Sequence, residues 1–237
     1  MATVGIIGFG SFGKFLAETL SPHATVYVYS RSGAGGKWAS SFEQAATADY
    51  VILAVPLESY EAVVMDLAPI IRRDGVVIDV CSVKVRPISI LKRMLSGQPI
   101  VATHPMFGPE SASSGVAGHT IVMCKDGSDA SAFTAVKKFS QSLGLHTVEM
   151  SLEEHDRSIA VVQGLTFFVA RSLDKMGVSN ELLRTPSFER LLHLAELERH
   201  HSQELFETIQ LGNKYAADVR TSFLTAAGNI HTELLEK

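Results

Sequence analysis

Short apolar runs recur along the first two thirds of the chain, and segments of helical periodicity separate most of them. The runs TVGIIG (3–8), TVYVY (25–29), YVILAV (50–55), GVVIDV (75–80), PIVAT (99–103), TIVMC (120–124) and HTVEM (146–150) are rich in Val and Ile. Several are apolar throughout, as strands covered on both faces should be. Between them, 11–20, 58–72, 84–95 and 129–143 carry helical spacing. This alternation predicts βαβ units and a mostly parallel sheet.

The pattern changes near residue 151. In SLEEHD, Ser151 reads as a helix N-cap and Glu154, three residues on, completes a capping box. No convincing strand follows as far as Lys237. SIAVVQGLTFFVARSLDKM is apolar around most of a helical circumference, and a long amphipathic pattern starts at Pro186. The fold class expected is therefore an α/β domain over 1–150, followed by an all-helical domain over 151–237. A helical segment so short and so apolar is expected to complete its core against a second copy, as a homodimer.

Composition narrows the function classes. Among 237 residues, 46% are hydrophobic and 19% charged, as in an ordinary globular protein, and the formal net charge of −4 argues against binding nucleic acid by phosphate neutralisation. Two cysteines, Cys81 and Cys124, are too few for a disulfide framework and point to a reducing, cytoplasmic compartment. No signal peptide and no membrane span are expected.

The chemistry begins at VGIIGFGSFGKFLAETL, where Gly8, Gly10 and Gly13 have GxGxxG spacing between a strand run and an amphipathic helix. Gly8 permits the tight turn, Gly10 lets the backbone approach a pyrophosphate, and Gly13 allows close helix–strand packing. Gly8, Phe9, Gly10, Ser11, Phe12 and Gly13 are thus the candidate phosphate cradle, the helix N-terminus supplying N–H groups. At the end of the second strand, where an NAD site usually has an acid, the sequence VYVYSRSG has Ser30 followed by Arg31. Arg31 can pair with a 2′-phosphate and Ser30 or Ser32 can donate to it, so NADP is expected over NAD.

The blocks GFGSFG, LAVPLE, DVCSVK, THPMFGPESA and EEHDRSIAVVQGLT stand in the order and spacing of the prephenate/arogenate dehydrogenases of tyrosine biosynthesis, which the chain resembles over nearly its whole length. HPMFGPES is closest to the plant-type arogenate dehydrogenase branch. The resemblance implies oxidative decarboxylation of prephenate and/or arogenate, an α/β Rossmann-type dinucleotide-binding domain over 1–150 and an all-helical dimerisation domain over 151–237. It implies His104 as acceptor of the substrate hydroxyl proton and Ser82 as a bridge between His104 and the nicotinamide region, both also touching substrate. From the residues alone, His104 lies just past a strand's carboxyl end, where ligands bind in open α/β sheets. Ser82 would read there as a loop-start serine. Val55 and Pro56 lie beside the cofactor ring in similar folds, or else only end a strand. Pro109, Ser111 and Ser113 belong to a loop suited to closing over substrate carboxylates, beside Glu110, which also reads as a solvated acid. Lys84 reads either as a solvated first-turn lysine or as a group steadying its loop.

The helical segment contributes further candidates and departures. His155 is expected on the substrate side or as half of a first-turn His–Asp pair with Asp156. Gln163 and Thr166 are substrate-side candidates, and Phe167 stands where family members usually have a histidine. In SFERLLHL, His193 occupies the offset of the family's carboxylate-binding arginine, with Arg190 and Arg199 in neighbouring turns. His201 precedes Ser202 where the plant-type branch commonly has an acid. Tandem His200 and His201 face different directions on a helix and have no evident third ligand, so no metal is expected. The alternatives to this activity are another small-acid dehydrogenase or an imine reductase on a similar two-domain scaffold, or a non-catalytic dinucleotide-binding sensor.

Overall fold

Seven strands form one sheet in the order β2-β1-β3-β4-β5-β6-β7. In this computed structural model, which describes residues 1–33, 35–178, 183–199 and 201–237, they are β1 (Thr3–Ile7), β2 (Thr25–Tyr29), β3 (Tyr50–Leu53), β4 (Val76–Asp79), β5 (Ile100–Pro105), β6 (Thr120–Cys124) and β7 (His146–Met150). Every neighbouring pair is parallel except β5 with β6, which is antiparallel. Each apolar run became the strand its Val/Ile content predicts, within one to two residues at the ends.

The helices of this half are α1 (Ser11–Leu20), α2 (Phe42–Ala46), α3 (Tyr60–Leu67), α4 (Val85–Met94) and α5 (Ala130–Ser142). The core layer against one face of the sheet holds Val51, Leu53, Leu57, Tyr60, Val64, Ile88, Leu91 and Ala102. A second layer gathers Ile6, Ala17, Leu20, Val26 and Ile52. The periodicity did not reveal α2. It is a single turn and a half capped by the Ser41 hydroxyl, which accepts from the Gln44 N–H at 3.1 Å. It lies so close on β1 that a Cβ at Gly5 would fall 1.8 Å from the Ala45 carbonyl oxygen.

The chain divides into two compact units, Met1–His155 and Asp156–Lys237. The division falls five residues beyond the boundary expected at 150, because the start of α6 (Leu152–Ile159) belongs to the sheet unit. The Leu152 N–H donates to the Asp126 carboxylate at 2.9 Å, and a Cβ at Gly127 would meet the Leu152 side chain at 2.8 Å. The capping box forms as its spacing predicts: the Ser151 N–H donates to Glu154 at 2.8 Å and the Glu154 N–H to the Ser151 hydroxyl at 3.2 Å.

The second unit is helical over its described residues: the end of α6, a π-helical turn over Ala160–Leu165, then α7 (Thr166–Met176), α8 (Pro186–Arg199), α9 (Gln203–Gly212) and α10 (Ala216–Leu235). The apolar stretch 158–176 is thus not one regular helix. The π turn sits at Gly164, whose carbonyl accepts from the Gln210 side chain at 2.6 Å. Among the described residues no helix is long and apolar enough to cross a membrane.

Candidate active site

The strand order reverses direction at β1: β2 lies on one side of it and β3 on the other. Such a switch point leaves a crevice at the strands' carboxyl ends. Gly8 enters it directly after β1 with φ of 113°, a conformation that favours glycine. A Cβ on Gly13 would stand 2.2 Å from the Gly8 carbonyl oxygen, so helix α1 packs onto the turn only because position 13 is glycine. Gly10 differs. It is exposed, has ordinary extended backbone, and a Cβ there would meet nothing within 4 Å. Gly10 is also the N-cap of α1 with no side-chain cap, so the turn presents N–H groups to an open space that a Cβ would enter. These features fit a dinucleotide's phosphates. Phe9, Ser11 and Phe12 complete the turn. Val55 and Pro56 follow β3 on the neighbouring strand, the Val55 side chain 3.1 Å from where a Gly8 Cβ would lie. Beyond β2, Arg31 and Ser32 are exposed, and the Ser30 and Ser32 hydroxyls are 2.9 Å apart.

His104 is the penultimate residue of β5, opposite Val122 of β6, and so lies inside the strand and not past its end. The strand extends because antiparallel pairing with β6 continues through Pro105, which pairs with Ile121. The imidazole is buried, and its Nδ1 lies 2.9 Å from Nε2 of His155, the rings crossing at 69°. Burial, then His155, then Lys84 push its pKa well below the usual 6.5. The structure therefore holds His155 against His104, where the sequence suggested a substrate contact or a pair with Asp156.

Behind the histidine lies a fully buried polar cluster. The Lys84 ammonium forms an ion pair with Asp79, the last residue of β4, and donates to the Thr103 carbonyl at 2.5 Å. The same carboxylate accepts from the Tyr60 hydroxyl at 2.5 Å and the Cys81 N–H at 3.1 Å. Burial and the adjacent carboxylate raise the Tyr60 pKa well above 10, so its hydroxyl stays a donor. The solvated reading of Lys84 is overturned: it steadies the loop from inside. Sequence reasoning missed Tyr60, Asp79 and Thr103. The available signal was an acid ending the wholly apolar run GVVID, which demands a buried partner.

Ser82 is half buried in the bend between Asp79 and Lys84. Pro109, Ser111 and Ser113 lie in a loop folded into successive turns, in which the Ser111 hydroxyl accepts from the Gly108 N–H at 2.9 Å. Pro109 is half buried, whereas Glu110, Ser111 and Ser113 are exposed.

In the helical unit, the Gln163 side-chain oxygen is buried without a hydrogen-bond partner, whereas the Thr166 hydroxyl donates to the Val162 carbonyl at 2.8 Å. Thr166 can therefore offer a ligand only its lone pairs. Phe167 stacks on His201 with ring centroids 4.9 Å apart. Arg199 pairs with Asp174, whereas Arg190 and His193 are exposed. His200 lies outside the described residues.

The family model for the nucleotide-binding domain of prephenate dehydrogenase matches residues 24–149. Arogenate dehydrogenase 2, chloroplastic, of Arabidopsis thaliana is 33% identical over 91% of this chain and 65% of its own length. Arogenate dehydrogenase 1, chloroplastic, of the same plant is 31% identical over 98% of this chain and 39% of its own length. The chain thus spans less than two thirds of the length of either plant relative. A crystal structure of prephenate dehydrogenase from Aquifex aeolicus, in complex with hydroxyphenyl propionate and NAD+, aligns over 100% of this chain and 93% of that one, with TM-score 0.76 and 21% identity. With the family model covering more than half of its residues, the chain belongs to the prephenate and arogenate dehydrogenase family.

Proposed function

We propose that this protein oxidatively decarboxylates prephenate and/or arogenate, giving 4-hydroxyphenylpyruvate and/or tyrosine, with NADP preferred over NAD. The observation that carries the reading is His104: a buried imidazole, kept neutral near physiological pH, whose Nδ1 lies 2.9 Å from His155 and whose Nε2 would take the substrate proton.

Such an imidazole suits the chemistry. The substrate is a ring alcohol para to a ring carboxylate. As the hydrogen on the alcohol carbon departs as hydride, the hydroxyl must lose its proton, and Nε2 of His104 accepts it. Loss of CO2 then leaves its bonding electrons in the ring, which becomes aromatic. The resulting phenolate oxygen takes the proton back from His104. The nicotinamide, when bound, supplies the hydride acceptor. The turn from Gly8 to Gly13 would hold its phosphates, Val55 and Pro56 would flank its ring, and Ser82 would link that region to His104. The NAD+ in the Aquifex aeolicus enzyme is that protein's ligand. Preference for NADP here rests on Arg31, exposed and uncontested by any acid at the end of β2.

Pro109, Ser111 and Ser113 would approach the substrate carboxylates. Gln163, with its unpartnered buried oxygen, is the best-supported polar group in the helical unit, and Thr166 a weaker one. Leu211, Leu224, Ile230 and Leu234 leave α9 and α10 with exposed apolar side chains, which supports a homodimer through this unit. Two buried thiols outside any disulfide, Cys81 and Cys124, fit a reducing compartment such as the cytoplasm.

The test is steady-state reduction of NADP and NAD with prephenate, arogenate and simple 3-hydroxy acids. Turnover of either cyclohexadienol is expected. Turnover confined to 3-hydroxy acids, or none with any substrate, overturns the reading. Light scattering checks the dimer.

A further inference from the structure

We propose that His155 is a positioning residue that holds His104 as its Nδ1–H tautomer. This rests on the proposed role of His104 as proton acceptor. A neutral imidazole carries one N–H, on either nitrogen, and the hydrogen bond made by one nitrogen decides the state of the other. Here Nδ1 of His104 and Nε2 of His155 are 2.9 Å apart, close enough for a single shared N–H. The steep angle between the rings makes this an edge contact and not a stack. If the hydrogen sits on His155, then Nε2 of His104 must carry its own proton and cannot accept one. If Nδ1 of His104 donates to His155, Nε2 has a free lone pair. Only the second arrangement makes His104 a base.

The surroundings favour a His104 that stays neutral until substrate delivers a proton. His104 is 3% exposed and His155 1%. The charged or titratable groups acting on His104 are His155, from the start of α6, and Lys84, which precedes α4. Lys84 in turn is paired with Asp79. The stoichiometry permits a closed site: the oxygen that gives up its proton recovers one when the ring becomes a phenol. The pair therefore holds one proton during turnover and delivers none to water.

His155→Leu removes the acceptor, and His155→Gln replaces it with a side-chain carbonyl oxygen. Long-range proton–nitrogen NMR on histidine-labelled protein, with His104→Gln used to assign the signal, reads the tautomer without turnover. The Nδ1–H form is expected in the native chain, its loss in His155→Leu, and its retention in His155→Gln. In parallel, kcat is expected to fall about 10–100-fold in His155→Leu, up to the lower end of the ~10²–10⁴ that a positioned proton acceptor contributes, with KM for the nucleotide unchanged. Glutamine should restore most of the loss. An Nε2–H tautomer in native protein overturns the proposal even if the leucine variant fails to fold, as do equal rates in the two variants. Absence of any turnover by native protein, with the Nδ1–H tautomer seen, would instead overturn the dehydrogenase reading alone.

Discussion

Lys84 and Asp79 form an ion pair from which water is wholly excluded, both side chains being 0% exposed. The pair joins the end of β4 to the residue preceding α4, and so fixes the bend that carries Ser82. Its energetics are asymmetric, because either charge left alone in this place has no water to turn to. Lys84→Met should lower unfolding free energy by about 3–5 kcal/mol. Tyr60→Phe removes one neutral donor to the same carboxylate and should cost about 1–2 kcal/mol. Urea unfolding of both variants checks the ranking; equal midpoints would show that the ion pair stabilises the fold no more than the tyrosine hydroxyl does.

The three loop glycines should separate folding from nucleotide binding. A methyl group on Gly13 runs into the Gly8 carbonyl at 2.2 Å, a backbone contact that cannot yield easily. Gly13→Ala should cost about 2 kcal/mol of overpacking, or roughly 4–8 °C in Tm for a chain of this size. On Gly10 the same methyl group meets nothing. Gly10→Ala should leave Tm within about 1 °C and raise KM for the nucleotide more than tenfold if that space takes the phosphates as proposed. Thermal melts alongside nucleotide titrations decide it. A Gly10→Ala variant with native nucleotide KM would place the phosphates elsewhere.

Arg31 tests the choice of cofactor. It is exposed in the turn after β2, where the Gly33 N–H donates to the Ser30 carbonyl at 2.9 Å. A charge-assisted bond to a 2′-phosphate contributes about 1.5–3 kcal/mol, which corresponds to a factor of roughly 10–150 in binding. Arg31→Ala should therefore raise KM for NADP by about that factor and leave KM for NAD within about twofold. Parallel changes for both cofactors would mean that Arg31 does not read the phosphate.

The sheet was legible because its signal is local. A run such as YVILAV has one stable use, as a strand covered on both faces, and it became β3. The GxGxxG turn was legible for the same reason, Gly8 and Gly13 answering short-range steric demands. What the sequence hid was pairing at long range. His104 and His155 stand 51 residues apart, and their hydrogen bond follows from where β5 ends against the start of α6. Asp79 drew no notice because a carboxylate at a strand end usually faces water; only the fold shows Tyr60 and Lys84 converging on it. The π turn at Gly164 was equally invisible, since apolar periodicity at 3.6 residues differs little from a helix carrying one inserted residue.

The acid limb of activity should report His104 directly. Burial first, then His155, then Lys84, all disfavour its imidazolium, so its pKa lies well below 6.5. The base form therefore persists into mildly acidic solution, and kcat/KM should stay flat on lowering pH to 6.5 and fall only below it. The stability consequence has a fixed sign. Between the depressed folded pKa and about 6.5, the unfolded chain binds more protons at this position than the native one, so stability falls as pH drops through that window. His104→Gln should flatten that part of the curve. His155→Gln removes a neighbour that disfavours the imidazolium and should move the acid limb upward, toward 6.5, while keeping an acceptor for Nδ1–H. A pH series of kcat/KM and urea midpoints on the three proteins measures both effects. An acid limb above pH 6.5 in the native chain, or one unmoved by His155→Gln, would mean that the imidazole of His104 is not the group that titrates.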